Sequence, residues 1–262
     1  MNRKDLEAYI PSEMAERAKA SGIRKANRDL LSTIFLSIQA GAFIAIGAAF
    51  YTSVVSESTI GIGITNLIGG LAFSLGLILV VIAGADLFTG DTLMVMAGFS
   101  REISFEQMFK CWFIVFIGNF IGAISIAYLI KLSGQDQIWM HQAISIATKK
   151  IYSTTSELFF SGILCNMLVC LAIWLCYSAK SVTDKILAII FPISAFVALG
   201  FEHSIANMYL LQFGNFNFLQ ILENIIIVTI GNIIGGGIFV GAIYWLLYLR
   251  PEAPKSKSGF EV

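Results

Sequence analysis

Apolar residues run through this chain in long blocks. Six of them, at about 30–53, 61–98, 108–132, 156–178, 185–213 and 221–249, lie near or above the roughly 20 residues a helix needs to cross a bilayer. The second block is too long for one plain helix and carries the polar interruption GADLFTGDT at 84–92. The fifth carries GFEHS at 200–204; the other four have no such interruption. A transmembrane barrel would instead show short alternating segments. The pattern predicts an all-α membrane protein with six transmembrane helices, of which the second and fifth are broken.

The flanks differ from this core. Residues 1–29 carry charge in a helical pattern, with Pro11 suited to a first turn and Met14, Ala18 and Ile23 forming a weak apolar face. Two readings stand equally: a helix near the cytoplasmic membrane surface, or a solvated tail. Residues 1–28 have no apolar stretch of the signal-peptide kind, so none is expected. Residues 30–249 form the channel-like domain, and 250–262 a polar tail.

Charge orients the spans. Fourteen Lys and Arg fall on one side: Arg3, Lys4, Arg17, Lys19, Arg24, Lys25, Arg28, Arg101, Lys110, Lys180, Lys185, Arg250, Lys255 and Lys257. The other side has Lys131, Lys149 and Lys150. Cytoplasmic loops carry the excess of such residues, so both termini are expected in the cytoplasm. Composition agrees with a membrane protein: 57% of residues are hydrophobic and 13% charged, against about a quarter charged in soluble domains. Net charge is zero, which excludes the basic stripe of nucleic-acid binding. Cys111, Cys165, Cys170 and Cys176 lie in apolar runs without a CxxC pair and read as small hydrophobes. No metal or cofactor is expected.

The chain repeats itself. IGNFIGA at 117–123 and IGNIIGG at 230–236 share five of seven positions, and GADLF at 84–88 matches GFEHS at 200–204 as Gly, any residue, acid. Both offsets relate spans two and three to spans five and six. A repeat of three spans re-enters the membrane from the opposite side, so the halves are inverted, and broken helices then place a solute site near the midplane. A break exposes backbone N–H and C=O groups, which a membrane tolerates only under protein or in a water-filled cavity. Asp86, Thr89, Glu202 and His203 sit at these breaks and help to cover them. Gly118 with Gly122, and Gly231 with Gly235, read as helix-packing pairs.

His203 is the one histidine inside an apolar block, beside a break, where it can donate to an anion and exchange a proton. His141 lies in a polar loop and reads as surface. Thr89 has two compatible readings, helix cap and donor. Glu202 reads as structural. Lys149 and Lys150 by themselves read as a solvated loop pair. Phe73, Leu77, Leu87 and Phe196 cannot be told from core by pattern.

GGLAFSLGLILVVIAGADLFTGDTL, GILCNMLVCLAIW, FVALGFEHSIANM and VTIGNIIGGGIFVG together resemble the formate/nitrite transporter family, over about residues 12–249. IPSEMAERA and CNMLVCLAIW look most like its formate-channel branch. The resemblance implies an aquaporin-like fold in the bacterial inner membrane and a homopentamer with one pore per protomer. It implies passage of small monovalent anions without ATP: formate first, then nitrite, hydrosulfide or other short monocarboxylates. It implies that Thr89 and His203 face each other at the pore centre. Phe73, Leu77, Leu87 and Phe196 would form constrictions, Asn166 and Lys150 a polar and cationic lining, and Glu202 a brace. Whether His203 also passes a proton to the anion stays open. Two departures stand out: Asp86 replaces the family's usual Glu, and Asp91 adds a negative charge. A water- or glycerol-type channel is the rival of another class, but its Asn-Pro-Ala pair is missing. An intramembrane enzyme would need a nucleophile–base pair, and neither HExxH nor GxSxG occurs.

Overall fold

A computed structural model describes residues 7–56 and 58–251. Arg3, Lys4, Lys255, Lys257 and the tail from 252 onward lie outside the described residues. The described residues are helices joined by short turns and irregular segments, with no strand among them.

After α1 (Pro11–Ala26), five helical segments are long and apolar enough to cross a membrane: α2 (Leu30–Val55), α3 (Ile62–Ala83), α6 (Phe105–Ser133), α8 (Thr155–Ser178) and the run Phe218–Tyr248. The last comprises α11 (Phe218–Ile233), a π-helical stretch (Ile234–Ala242) and α12 (Ile243–Tyr248). The fifth apolar block is divided between α9 (Val182–Ala198, 17 residues) and α10 (Ser204–Leu210, 7 residues), each too short to span by itself. The second block continues beyond α3 as α4 (Phe88–Asp91), a 3-10 turn and α5 (Val95–Phe99).

Local chemistry sets the starts. Asp29 caps α2, its Oδ1 accepting from Ser32 N at 2.9 Å. Reciprocal capping boxes open α6 (Ser104, Gln107), α8 (Thr154, Glu157), α9 (Ser181, Asp184) and α11 (Asn217, Gln220). α3 ends at Gly84 (φ +87°), and the turn after α9 passes through Gly200 (φ +74°), both left-handed positions that suit glycine.

Packing repeats in the two halves. α2 lies on α6 and α3, and α8 lies on α11 and α9. A Cβ on Gly122 would collide with Ile38 O, and one on Gly235 with Ile163 O, so the paired glycines serve close helix approach.

One expectation needs correction, and two features go beyond what the pattern resolved. The polar stretch read as a loop before α8 contains α7 (Met140–Ile151), whose small apolar Ala143 and Ala147 are buried. Polar positions on its outer face hid that stripe. The sixth block is not plain helix: its π segment widens the turn at Gly235, Gly236 and Gly237, and a Cβ on Gly236 would strike the Thr92 hydroxyl. Finally, α1 is no solvated tail, because Met14, Ala15 and Ala18 are buried and the helix packs on α5 and α8.

Candidate functional site: paired helix interruptions

Each interruption leaves backbone groups that helix bonds no longer serve. One asparagine per half takes them up. Asn119 Oδ1 accepts from Phe88 N at 2.9 Å, and its Nδ2 donates to Asp86 O at 2.9 Å and Ser37 O at 2.7 Å. Asn232 Oδ1 accepts from Ser204 N at 2.9 Å, and its Nδ2 donates to Glu202 O at 3.0 Å and Gly162 O at 2.7 Å. The two sets match bond for bond. These are the asparagines of the repeated heptapeptide. The repeat was visible, but reading it for its glycines left both asparagines without a role.

The buried acid of each interruption holds a cation from the helix that precedes its half. Asp86 is bound by Arg28 and, at 3.3 Å, by Lys25, whose ammonium also binds Asp91. Glu202 Oε2 accepts from Lys150 Nζ at 2.8 Å and Asn207 Nδ2 at 2.7 Å. Asn207 Nδ2 also donates to Asn224 Oδ1 at 2.8 Å, and Asn224 Nδ2 donates to Lys150 O at 2.9 Å. Lys25 and Lys150 are equivalents: each stands five positions before the first residue of α2 or α8. The two departures from the family pattern thus share one cationic clasp. Burial alone would lower the Lys25 pKa, but the Asp91 and Asp86 carboxylates outweigh it and hold the amine above the usual lysine range.

Between the interruptions, His203 Nε2 and Thr89 Oγ1 are 3.0 Å apart, and His203 Nδ1 accepts from Ala206 N at 3.2 Å as the cap of α10. An accepting Nδ1 carries no proton, so the neutral ring has its N–H at Nε2 and donates it to Thr89. The Thr89 proton stays available. Asn166 stands behind this pair. Its Nδ2 lies 3.1 Å from Thr89 O and 2.6 Å from Asn232 O, tying the two halves together, while its buried Oδ1 has no partner.

Two cavities approach this centre. One, of about 110 Å³, has Lys149, Lys150 and Glu202 in its wall. The other, of about 280 Å³, has Lys25, Arg28 and Asp86. A void with no room for water separates them, lined by Ile44, Phe73, Leu77, Leu87, Val169, Ile193, Phe196 and His203. Phe73 and Phe196 border both the first cavity and the void, their ring centres 5.5 Å apart at 83°, and Leu87 borders both the second cavity and the void. The structure therefore gathers Phe73, Leu77, Leu87, Phe196, His203 and Thr89 around one point. Asn166 lies outside both cavity walls and supports Thr89 from behind. Lys150 is at the first cavity, but its charge is taken up by Glu202.

A family model described as formate/nitrite transporter matches residues 12–246. The chain belongs to the formate/nitrite transporter family. This family member is 41% identical to formate channel FocA of Escherichia coli (strain K12), over 94% of this chain and 96% of that protein. It is 40% identical to formate channel FocA of Haemophilus influenzae, over 89% and 93%. Among solved structures it resembles a pentameric formate channel with formate bound, at 39% identity and a TM-score of 0.77, covering 84% of this chain and 98% of that one. An ion channel of the same family matches at 32% identity and a TM-score of 0.82, covering 89% and 98%. This formate/nitrite transporter is thus a membrane channel by relationship, in keeping with its apolar helices.

Proposed function

We propose that the protein is a formate channel in which one anion path runs through each protomer, between Phe73 and Phe196 on one side and Leu87 on the other. The observation that carries this reading is the Thr89–His203 contact, made across two interrupted helices between two cavities with basic residues in their walls. Similarity to the FocA channels supplies the substrate. In this reading α3 with α4 and α5 forms the second span, and α9 with α10 the fifth. Six spans then make two inverted halves, residues 30–249 form the channel domain, and both termini face the cytoplasm of a bacterial inner membrane. The subunits assemble as a pentamer, as in the solved relative.

Lys149 at the first cavity, and Arg24 with Lys185 at the second, raise the local anion concentration. A bare anion in an apolar slit loses its hydration at large cost, so the rings of Phe73, Phe196, Leu77 and Leu87 exclude ions that find no donor inside. When an anion parts the His203–Thr89 contact, His203 Nε2–H and the Thr89 hydroxyl are the two donors at that point. Formate is planar with two oxygens and can accept from both. Adding a second proton at His203 Nδ1 would require breaking its bond to Ala206 N. The neutral imidazole is therefore set up first as a hydrogen-bond donor. Nitrite has nearly the same shape and shares the path. Hydrosulfide has a single soft atom and uses two donors poorly.

The experiment is formate flux into proteoliposomes. Wild-type protein is expected to conduct, and His203→Phe to conduct little while assembling normally. Undiminished formate flux through His203→Phe overturns the central site. Water flux that exceeds formate flux would favour the neutral-solute reading.

A further inference from the structure

Beside the second cavity lies a larger one of about 740 Å³, between α1 and the turn joining α8 to α9. No constriction residue lines it. Its charged lining, among the described residues, is wholly cationic: Arg17, Arg24, Lys180 and Lys185. Three acids on α1 and α9 have partners of their own. Glu13 accepts from Ile10 N at 3.1 Å, Glu16 pairs with Lys19 at 2.7 Å, and Asp184 accepts from Ser181 N at 3.0 Å.

The cations are held in place. Tyr9 is anchored to the turn through its N–H, which donates to Ser178 O at 3.0 Å. Arg17 stacks 3.7 Å from the centre of the Tyr9 ring and donates through Nη1 to Tyr177 O at 3.2 Å. Lys180 Nζ lies 4.8 Å from the same ring. Arg17, Arg24 and Lys185 share this wall and repel one another, and a negative occupant would turn that repulsion into attraction. A guanidinium fork beside ammonium groups matches the oxygens of a phosphate.

The place of the cavity narrows the source. Cys176 and Tyr177, in its wall, end α8, a helix apolar and long enough to cross a membrane. Val182, also in the wall, is exposed, and so are Leu175 and Leu187 nearby. The cavity is thus level with lipid headgroups, and apolar surface leads from it toward the bilayer. We propose that it is a phosphate-binding site filled by the headgroup of an anionic phospholipid.

The test uses the intact protein in detergent, titrated separately with phosphatidylglycerol, phosphatidylcholine and inorganic phosphate. Native mass spectrometry reads bound mass, and thermal unfolding reads stabilisation. Phosphatidylglycerol is expected to stay bound and raise the unfolding midpoint, more at low salt than at high salt, whereas phosphatidylcholine does neither. Arg17→Gln with Lys185→Gln is expected to weaken phosphatidylglycerol binding by roughly five-fold per charge removed. Lys110→Gln, on the exposed start of α6, should leave it unchanged. Equal retention of both lipids, or full binding by the double variant, overturns the site. Stabilisation by inorganic phosphate but not by phosphatidylglycerol overturns the lipid as its occupant. The lipid comparison on the parent protein stands even if the variant misfolds, and no readout depends on transport, so this proposal and the formate reading fail separately.

Discussion

His203 does two jobs with two nitrogens. Nδ1 caps α10 through Ala206 N, and Nε2 meets Thr89. An asparagine can take over the first task but not the second, since its side-chain oxygen accepts at a cap and its reach is shorter. His203→Asn should therefore keep thermal stability close to the parent while cutting formate flux about ten-fold or more, the usual scale of a lost hydrogen bond to a charged group. Parallel melting and flux measurements check this. A large drop in stability with normal flux would show that the cap, and not the donor, is what His203 supplies. The Asn119 and Asn232 side chains make the matching case for structure. Each serves two backbone groups at an interruption, and each unsatisfied buried group costs about 1–3 kcal/mol. Asn119→Leu and Asn232→Leu are expected to lower the unfolding midpoint sharply and to a similar extent.

At the scale of elements, α1 and α7 are counterparts, each delivering a lysine to the acid of one interruption. Removing one partner of a buried pair costs roughly 3–5 kcal/mol because the other charge is left stranded. Lys25→Met should thus loosen α1, seen as faster proteolysis near its C-terminal end, and Lys25→Met with Asp91→Asn should recover part of the loss. The pH dependence has a definite sign. The Lys25 pKa is raised on folding, so its contribution is complete below the ordinary lysine value of about 10.4 and fades only as pH climbs above it. The lysine's own contribution is therefore expected to hold constant from pH 7 to 9. Lys149 and Lys150 should separate in the same way. Lys150→Ser strands Glu202 and lowers stability, whereas Lys149→Ser, at the same cavity but with no ion pair among the described residues, should reduce uptake only at low formate concentration and low salt.

At the scale of the whole molecule, much of the outer surface is apolar: Ile62, Phe191 and Phe113 are among its exposed side chains. Lipid and neighbouring subunits can both cover such a surface. The proposed pentamer sets an expected particle of five 28.6 kDa chains in mild detergent, measurable by native mass spectrometry. A monomer or dimer across several detergents would overturn it. Formate and nitrite should compete for one path in each subunit, with half-blocking nitrite concentrations independent of how many subunits carry His203→Phe.

Much of this protein is written locally. Long apolar blocks give the membrane-spanning helices because lipid cannot satisfy a bare backbone, and cap residues such as Ser104 and Thr154 mark where helices start. The left-handed glycines and the acids after them mark the two interruptions, and motif resemblance reached the family. What the chain's order does not reveal is which distant groups meet. Asp86 and Asp91 stood out as departures, yet their cations lie about 60 positions earlier, on α1 and in the turn just after it, and the weak apolar face of that helix did not distinguish packing from solvation. Asn166 looked like lining and proved to be a tie between Thr89 and Asn232, because only packing fixes which way a buried amide points. The ring nitrogen that donates at the centre was likewise settled by Ala206 N–H occupying the other one. Periodicity and capping act within a few residues, so sequence determines them. Ion pairs, tautomers and close glycine contacts depend on how helices are laid together, and tertiary structure alone decides those.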